Sequence, residues 1–336
     1  MQTPIITGIL SYGMSGRLFH APFIDERLGF KLHAVTERTT KKAHLRYPEI
    51  ISYESVEELL SDKTVELVIV NTPNYTHYEF AKAALEKGKH VLVEKPFTAT
   101  KSQALELFTI AEGNGCKIMV YQNRRWDSDF LLFKEMITGG QLGNLIEVHF
   151  RFDRYKMQIG PKAFKETPMP ASGITYDLGP HLLDQVISVF GEPLSFKKTK
   201  GVYRPNSQVD DYLSIVLQYP NQINVFVTAS LLTADPLPSF VAHGTTGSFS
   251  KHRSDVQEAQ LDKEISPFDN NYGVDGDKGI LTTIGEDGER IRSNLEPPKG
   301  DYKQLFEAVH NAIRLGVTYP ITKDQILLQL SILESN

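Results

Sequence analysis

The sequence predicts a two-domain α/β protein, in which a parallel sheet is followed by an α/β domain with a largely antiparallel sheet. In residues 1–122, short β-branched apolar runs alternate with longer amphipathic segments, as in βαβ units. After Tyr121 one helical segment is followed by long strand-like segments in succession. This change predicts domains at 1–122 and 123–336, and 336 residues are enough for a core in each.

In the first domain, the strands are short continuous apolar runs, as expected for strands buried on both faces. They are predicted at residues 5–10, 31–36, 67–70, 90–93 and 117–121. Helices are predicted at 75–86 and 100–112, where apolar residues recur every three or four positions. Gly88, and Gly113 or Gly115, stand where a C-cap would end each helix.

In the second domain, strand-like segments lie at residues 145–155, 213–219, 223–230 and 239–242, with a hairpin turn at 219–222. Helices are predicted at 182–190, 302–315 and 323–334. Residues 251–299 are dense in Asp, Gly, Asn and Pro, and we assign loops with short strands there.

The composition excludes some classes of binding partner and some cellular compartments. With 36 basic and 41 acidic residues the net charge is -5, so no basic excess attracts nucleic acid or an anionic membrane. Cys116 is the single cysteine, which excludes an intrachain disulfide and favours a reducing compartment. The N-terminal residues have neither the basic region of a signal peptide nor an apolar run of membrane-spanning length. We therefore expect a cytoplasmic protein.

A glycine turn follows the first strand and precedes a helical pattern, the context in which such a turn binds a dinucleotide pyrophosphate. The match to G-x-G-x-x-G is partial, because serine replaces the first glycine, and an ordinary strand-to-helix turn is the alternative. The candidate cofactor residues of this turn are Ser11, Tyr12, Gly13, Met14 and Gly16.

The end of the second strand bears on the choice of cofactor. Glu37 follows Gly16 by 21 residues, near the offset at which a carboxylate binds the adenosine ribose, and this slightly favours NAD over NADP. The neighbouring Arg38 could instead stack on adenine or neutralise a 2′-phosphate. A solvated pair at the start of a loop is the alternative without function.

The candidate reacting groups come from two regions. A nicotinamide enzyme that oxidises a carbinol needs a base near neutral pH and a cation beside the developing negative oxygen. Asp177 and His181 are four residues apart and could share one helical face, where the carboxylate would orient the ring. Lys95 can supply the cation. The same Asp and His could bind a metal, but no matching cluster appears elsewhere in the sequence, and we predict no metal.

Several ordered motifs together resemble the glucose-fructose oxidoreductase, inositol dehydrogenase and rhizopine catabolism (Gfo/Idh/MocA) family, in the branch of scyllo-inositol dehydrogenase relatives. Beyond the glycine turn, the resemblance rests on Phe19-His20-Ala21-Pro22, Asn71-Thr72-Pro73-Asn74 with His77, Val93-Glu94-Lys95-Pro96, Gln122-Asn123-Arg124-Arg125-Trp126-Asp127, and residues 173–185. It covers nearly the whole chain.

The resemblance implies a Rossmann domain, a doubly wound parallel sheet, followed by an α/β domain with an open, mostly antiparallel sheet that often pairs subunits in homodimers or homotetramers. It implies His181 as acid/base, Lys95 beside the reacting carbon in a turn where a cis Lys95–Pro96 bond is expected, and Asp177 as their support. The residues that it places along the cofactor are Thr72, Pro73, Asn74, His77, Glu94 and Asn123.

One departure concerns the substrate. A Trp-Arg-Glu segment common in the family is Phe164-Lys165-Glu166 here, which keeps an aromatic ring and a cation but not the guanidinium fork. Substrate contacts are predicted, besides Lys95 and His181, at Arg125, Trp126, Tyr155, Phe164 and Lys165.

The leading hypothesis is an NAD(P)-dependent oxidoreductase that transfers hydride between nicotinamide and a secondary carbinol of a cyclitol, sugar or related polyol. A second hypothesis is a catalytically silent dinucleotide-binding regulator of the same fold. It is weakened by the presence of Lys95, Asp177 and His181 together. A third is a reductase of the biliverdin reductase type, which would not need the Asp and His pair.

Overall fold

The computed structural model describes residues 3–160 and 163–335, and for Glu26, Ala163 and Phe164 it describes the backbone alone. The apolar runs of the N-terminal region form parallel strands: β1 Ile5–Ile9, β2 Phe30–Thr36, β3 Ile51–Tyr53, β4 Leu67–Val70, β5 His90–Val93 and β6 Ile118–Val120. They make a six-stranded sheet in the order β3-β2-β1-β4-β5-β6. This is the strand order of a Rossmann fold, and the predicted parallel sheet is confirmed.

Strand β3 is the one strand of this sheet that the sequence did not predict. It is three residues long, pairs only with β2 at the edge, and has no buried residue. An edge strand of this kind lacks the continuous apolar run that marks strands buried on both faces.

The second sheet is built from β7 Leu145–Asp153, β8 Ser195–Gly201, β9 Tyr212–Gln218, β10 Asn224–Ser230, β11 Phe240–Gly244, β12 Gly247–Lys251, β13 Gly279–Ile284 and β14 Arg290–Leu295. Its eight strands run in the order β14-β13-β12-β11-β7-β10-β9-β8. Every neighbouring pair is antiparallel except β7 with β10. The prediction of a mostly antiparallel sheet is confirmed, as is the hairpin between β9 and β10 at Pro220–Gln222.

Helices connect the strands. In the described part of the chain they are α1 Val56–Ser61, α2 His77–Glu86, α3 Lys101–Gly113, α4 Ser128–Thr138, α5 Ala163–Glu166, α6 Gly173–Asp177, α7 Gly179–Phe190, α8 Val256–Asp262, α9 Lys303–Arg314 and α10 Lys323–Glu334. Helix α8 lies in the region that we expected to contain loops and short strands, so that expectation is wrong at this point.

The helical pattern after the glycine turn takes an unexpected form. A π-helical turn spans Gly16–His20, and a 3-10 turn follows at Ala21–Phe23. Pro22 has no amide hydrogen and its ring would meet the carbonyl of Leu18, so an α-helix cannot continue through it. His20 is the last residue of the π-helical turn, and its side chain is 0% exposed.

The chain forms two compact units, and each contains more than one segment. The first unit consists of Met1–Gln122, Gln260–Asn270 and Tyr302–Leu327. The second consists of Asn123–Ala259, Asn271–Asp301 and Leu328–Asn336. The predicted domains 1–122 and 123–336 stay a prediction. Among the described residues, we find no helix with the length and apolar character needed to span a membrane.

Candidate functional site

A groove of about 580 Å³ lies at the carboxyl edge of the parallel sheet in the first unit. It brings together part of the predicted cofactor set: Ser11, Tyr12, Gly13, Glu37, Arg38, Thr72 and Pro73. The other members from this unit do not line the groove. They are Met14 in the glycine turn, Gly16 at the start of the π-helical turn, Asn74 at the start of a 3-10 turn, His77 at the start of α2 and Glu94 directly after β5. Ligands of open α/β sheets bind at this edge.

The glycine turn fits a dinucleotide despite its missing first glycine. A Cβ on Gly16 would collide with the carbonyl oxygen of Ser11, so only glycine allows this close approach. Asn71 Nδ2 donates to the same carbonyl oxygen at 2.8 Å and holds the backbone at Ser11. Met14 is 52% exposed. The turn can therefore present its backbone to a pyrophosphate, as the cofactor requires.

The carboxylate of Glu37 is hydrogen-bonded to the loop that follows it. Its Oε1 accepts from the amide nitrogens of Lys42 at 2.7 Å and Ala43 at 3.2 Å, and its Oε2 accepts from Ser52 Oγ at 2.9 Å. The side chain is buried, whereas the adjacent Arg38 is exposed and lines the groove. The carboxylate thus fixes the loop that presents Arg38, and few of its lone pairs remain for a ribose hydroxyl.

The turn after β4 is tied to the turn after β5 by His77. This imidazole is 1% exposed, with Nδ1 2.7 Å from the carbonyl oxygen of Pro96 and Nε2 2.8 Å from that of Thr72. Burial lowers the pKa of His77, an effect that the two carbonyl oxygens oppose without reversing. A neutral imidazole has one N–H, so one contact is a hydrogen bond and the other a close polar approach. Within the turn, Thr76 Oγ1 donates to the carbonyl of Pro73 at 2.7 Å, and Asn74 begins a 3-10 turn.

Glu94 and Lys95 follow β5. The Lys95–Pro96 peptide bond is cis, as expected. Glu94 Oε1 accepts from His20 Nε2 at 2.9 Å and from Ser15 Oγ at 3.0 Å, while Oε2 accepts from the Lys95 amide at 3.2 Å. Burial raises the pKa of Glu94, but the hydrogen bond from His20, the electrostatic attraction of His20 and Lys95, and the hydrogen bond from Ser15 outweigh it, so the pKa is lowered. Glu94 is therefore ionised at neutral pH.

His181 lies in the first turn of α7, in the second unit, and is 6% exposed. Asp177 ends α6, so the two residues lie on successive helices that are joined by the single residue Leu178 in right-handed helical conformation, and their shared face stays a prediction. The helices are interrupted here because Pro180 has no amide hydrogen to donate to the carbonyl four residues earlier.

Polar contacts hold α7 at its start and its middle. Arg125 donates to both carboxylate oxygens of Asp184, from Nε and from Nη2, each at 2.7 Å. Gln185 Nε2 donates to the Arg124 carbonyl at 3.1 Å, and Gln329 Nε2 donates to the Pro180 carbonyl at 2.8 Å. Arg125 thus supports the helix of His181, and its predicted substrate contact stays a prediction.

The segment that replaces Trp-Arg-Glu supplies two ion pairs. Lys165 Nζ donates to Asp177 Oδ1 at 2.6 Å. Glu166 Oε2 accepts from Arg204 Nη2 at 2.8 Å. The side chain of Phe164 lies outside the described residues. The lysine that replaces arginine therefore neutralises Asp177, the carboxylate that the resemblance places beside the acid/base.

The remaining predicted residues lie near strand or turn ends of the second unit. Asn123 and Trp126 bound a 3-10 turn, in which Asn123 is buried and Trp126 half-buried. Tyr155 is 58% exposed and forms a backbone bridge with Leu232. Their roles stay predictions.

Sequence reasoning missed two residues. His20 belonged to a recognised motif but received no role, and the contact with Glu94 depends on the π-helical turn. Ser52 lies on the unpredicted edge strand β3. No spacing rule connects either residue to its carboxylate. Among the described residues, no group of three or more His, Cys, Asp or Glu side chains could hold a metal ion.

Comparison with known proteins identifies the family. Residues 5–122 match the model of the oxidoreductase family with an NAD-binding Rossmann fold, and residues 130–250 match the GFO/IDH/MocA C-terminal domain. The chain belongs to the GFO/IDH/MocA oxidoreductase family. Both the fold and the family that the sequence predicted are confirmed, and the protein is an oxidoreductase with an NAD(P)-binding Rossmann domain and a small-molecule substrate.

Relatives in this family include an uncharacterized oxidoreductase of Schizosaccharomyces pombe, 37% identical over 99% of this chain and 96% of its own length. A scyllo-inositol 2-dehydrogenase (NADP(+)) of Bacillus subtilis is 32% identical over 98% of this chain and 92% of its own. The crystal structure of an oxidoreductase from Bacillus cereus superposes with a TM-score of 0.88 at 31% identity, covering 98% of this chain and 95% of that one.

Proposed function

We propose that this oxidoreductase is an NAD(P)-dependent dehydrogenase that transfers hydride between nicotinamide and a secondary carbinol of a cyclitol, sugar or related polyol. The observation that carries the proposal is His181, a buried imidazole in the first turn of a helix that Arg125 and Gln329 hold in place. The similarity to a scyllo-inositol 2-dehydrogenase supports the substrate class.

Three side chains have separate roles in the proposed reaction. When bound, NAD(P) supplies the hydride acceptor or donor. In the oxidative direction His181 takes the hydroxyl proton of the carbinol, and in the reductive direction it returns that proton to the new hydroxyl. An imidazole suits both, because its ordinary pKa of about 6.5 is near neutral pH. Lys95, held half-buried behind β5, stabilises the alkoxide by its positive charge. Asp177, paired with Lys165, supports His181.

The test is a panel of inositol isomers, aldoses and polyols with either cofactor, followed by nicotinamide absorbance. With the best substrate, we expect His181→Asn to lower kcat by about 10² to 10⁴ while the cofactor Kd changes less than about threefold. His310→Asn, in α9, is the matched control and should retain kcat. Equal loss of turnover and cofactor affinity would make His181 structural. Tight cofactor binding without turnover of any carbinol would favour the regulator hypothesis.

We also infer a preference for NADP over NAD, against the slight expectation from spacing alone. Both carboxylate oxygens of Glu37 already accept hydrogen bonds, one from its own loop and one from Ser52. They are therefore poorly placed to accept a hydrogen bond from the free 2′-hydroxyl of NAD. Arg38 and Lys42 line the groove with positive charge beside it, which favours a 2′-phosphate.

Titration calorimetry of the protein with each oxidised cofactor at one ionic strength tests this preference. We expect an NADP Kd at least about tenfold below that of NAD, since one charge-assisted phosphate contact contributes about 1.5 to 3 kcal/mol. A tighter complex with NAD would reverse the inference and return Glu37 to the ribose.

A further inference from the structure

Two cations that the proposed reaction does not use lie just beyond β7, in the second unit. Arg154 is half-buried, and its Cζ lies 4.6 Å from the centroid of the Phe152 ring. Lys156 follows two residues later and is exposed, and Tyr155 between them forms the bridge with Leu232. Alternate side chains of extended backbone point to the same side, so Phe152, Arg154 and Lys156 form one row.

These two cations have no carboxylate of their own. Among the side chains that the structure describes, none forms a hydrogen bond or an ion pair with Arg154 or Lys156. Two carboxylates in the same region are held by another cation: Asp255 accepts from Arg124 at 2.7 and 3.1 Å, and Glu258 accepts from the same guanidinium at 2.7 Å. Arg154 and Lys156 thus lie side by side with unused donors, and an anion between them would relieve the repulsion of their charges.

The row lies on the face of the sheet that carries the helix of His181. Helices α6 and α7 both pack against β10, and α7 also packs against β7. The buried residues of these strands are on the face of Phe152, which is paired with the buried Ala229. Because packed helices bury the residues beneath them, α6 and α7 cover this face. The first turn of α7 contains His181.

Lys156 connects the row to the carboxylate that ends α6. Lys165 Nζ donates to Asp177 Oδ1 at 2.6 Å, and Lys156 interacts electrostatically with both of these residues. Partial burial and the positive charge of Arg154 lower the pKa of Lys156, and the negative charge of Asp177 opposes them without reversing the direction. The row therefore ends near Asp177, four residues before the proposed acid/base.

We propose that Arg154 and Lys156 form an anion subsite of the substrate site, so that the carbinol substrate carries a carboxylate or a phosphate. The planar guanidinium of Arg154 donates to two oxygens of this group, and the Lys156 ammonium binds it as a point charge. The inference rests on the proposed function and narrows its substrate class to sugar acids and to phosphorylated sugars or cyclitols.

The test adds matched substrates that differ in the charged group to the substrate panel. Glucose, glucuronate and glucose 6-phosphate share the same pyranose ring hydroxyls, as myo-inositol and myo-inositol 1-phosphate share theirs. Within a set that is turned over, we expect kcat/KM for a charged member to exceed that of the neutral member at least about 30-fold. The better of the two charged members shows whether the group is a carboxylate or a phosphate. Equal or better turnover of the neutral member would overturn the subsite.

An arginine substitution tests which side chain recognises the charge. Arg154→Gln keeps a polar side chain without the guanidinium, and it should lower the ratio of kcat/KM between charged and neutral members about 30-fold. Lys156→Gln should lower the same ratio about fivefold. Arg290→Gln is the matched control, since Arg290 is an exposed arginine at the start of β14 in the same unit, and it should leave the ratio unchanged. A parallel loss for charged and neutral members in Arg154→Gln would make Arg154 structural.

Binding without turnover separates this inference from the proposed function. Titration calorimetry with glucuronate and with inorganic phosphate, without cofactor, should give a Kd at least about tenfold higher for Arg154→Gln than for wild type with one of the two anions. Arg290→Gln should match wild type. If no carbinol is turned over but this difference appears, the proposed function fails and the anion subsite remains. If neutral carbinols are turned over at least as well as charged ones, the proposed function remains and the anion subsite is overturned. If neither turnover nor a difference in Kd appears, both fail.

Discussion

Glu37 and Glu94 make an informative pair, because both are carboxylates that follow parallel strands at the same edge of one sheet. Glu37 follows β2 and is bound by two amides of its own loop and by Ser52. Glu94 follows β5 and is bound by His20, Ser15 and the amide of Lys95. The donors of Glu37 are neutral groups of a loop and an edge strand, whereas one donor of Glu94 is a buried imidazole.

The difference teaches that the donors around a carboxylate, more than its place after a strand, decide what it does. Glu37 uses its charge to close a loop and present Arg38 to the groove. Glu94 uses its charge to hold the turn of Lys95. A glutamate at the ~20-residue offset from a glycine turn is a candidate ribose ligand only if its oxygens remain free.

The largest expected effect separates the two glutamates in turnover. At saturating cofactor, Glu94→Gln should lower kcat about 30- to 100-fold, since the neutral amide cannot accept from all the donors around it and a lost buried partner costs about 2 to 3 kcal/mol. The main effect of Glu37→Gln should be a higher KM for the cofactor. Steady-state kinetics of both variants measures the contrast. Equal losses of kcat would end the distinction between the two carboxylates.

The next effect tests what the Glu37 loop presents. Arg38→Ala should raise the NADP Kd about 10- to 30-fold and the NAD Kd less than threefold, because only NADP has the 2′-phosphate that a guanidinium binds. Calorimetry gives both constants. Lys41→Ala is the control, since Lys41 contacts the carbonyl of Ser52 and does not line the groove. A parallel loss for both cofactors would instead place Arg38 against the adenine.

A smaller effect tests the anchor of that loop. Ser52→Ala removes the hydroxyl that donates to Glu37 Oε2 at 2.9 Å. The loss of one hydrogen bond, about 1 kcal/mol, should raise the NADP Kd about fivefold and leave kcat at saturation unchanged. Ser61→Ala, whose hydroxyl donates within its own helix, is the control for stability. An unchanged NADP Kd would mean that the amides alone hold Glu37.

The smallest expected effect is the acid dependence of stability that Glu94 contributes. Because the pKa of Glu94 is lowered on folding, its carboxylate stabilises the fold above the ordinary glutamate value of about 4.3. That contribution is lost as the pH falls through the lowered folded value. The gap in urea midpoint between wild type and Glu94→Gln should therefore shrink from about pH 6 to about pH 3. A constant gap would show that Glu94 does not change its protonation in this range.

Much of the fold was predictable because its signals are local. Buried parallel strands such as β4 and β5 are short apolar runs, and helix α10 was predicted at its observed bounds. Strand β3 and strand β8 were missed because edge strands are exposed and polar, and the sheet pairs each on one side only. Helix α8 was missed because residues 251–299 are rich in residues that favour turns.

The sequence predicted which residues lie at the candidate site, but not which groups each of them contacts. The sequence correctly placed Glu37, Glu94 and His77 at the carboxyl edge of the parallel sheet, because the carboxyl ends of parallel strands meet there. It did not show that Glu37 turns to its own loop or that both nitrogens of His77 face backbone carbonyls. It also joined Asp177 to His181 on one helix, where Pro180 separates them into two.

By itself, the sequence therefore determined the family, the parallel and antiparallel sheets, and the set of titratable groups, since each depends on local periodicity or on ordered motifs. Tertiary structure alone decided the partner of each charged group: Ser52 for Glu37, His20 for Glu94, Lys165 for Asp177 and Asp184 for Arg125. These partners lie from 12 to 74 residues apart along the chain, as for Lys165 with Asp177 and His20 with Glu94. A hydrogen bond forms only when donor and acceptor lie within a few tenths of an ångström of their ideal separation. That separation is set only once the helices and strands have packed.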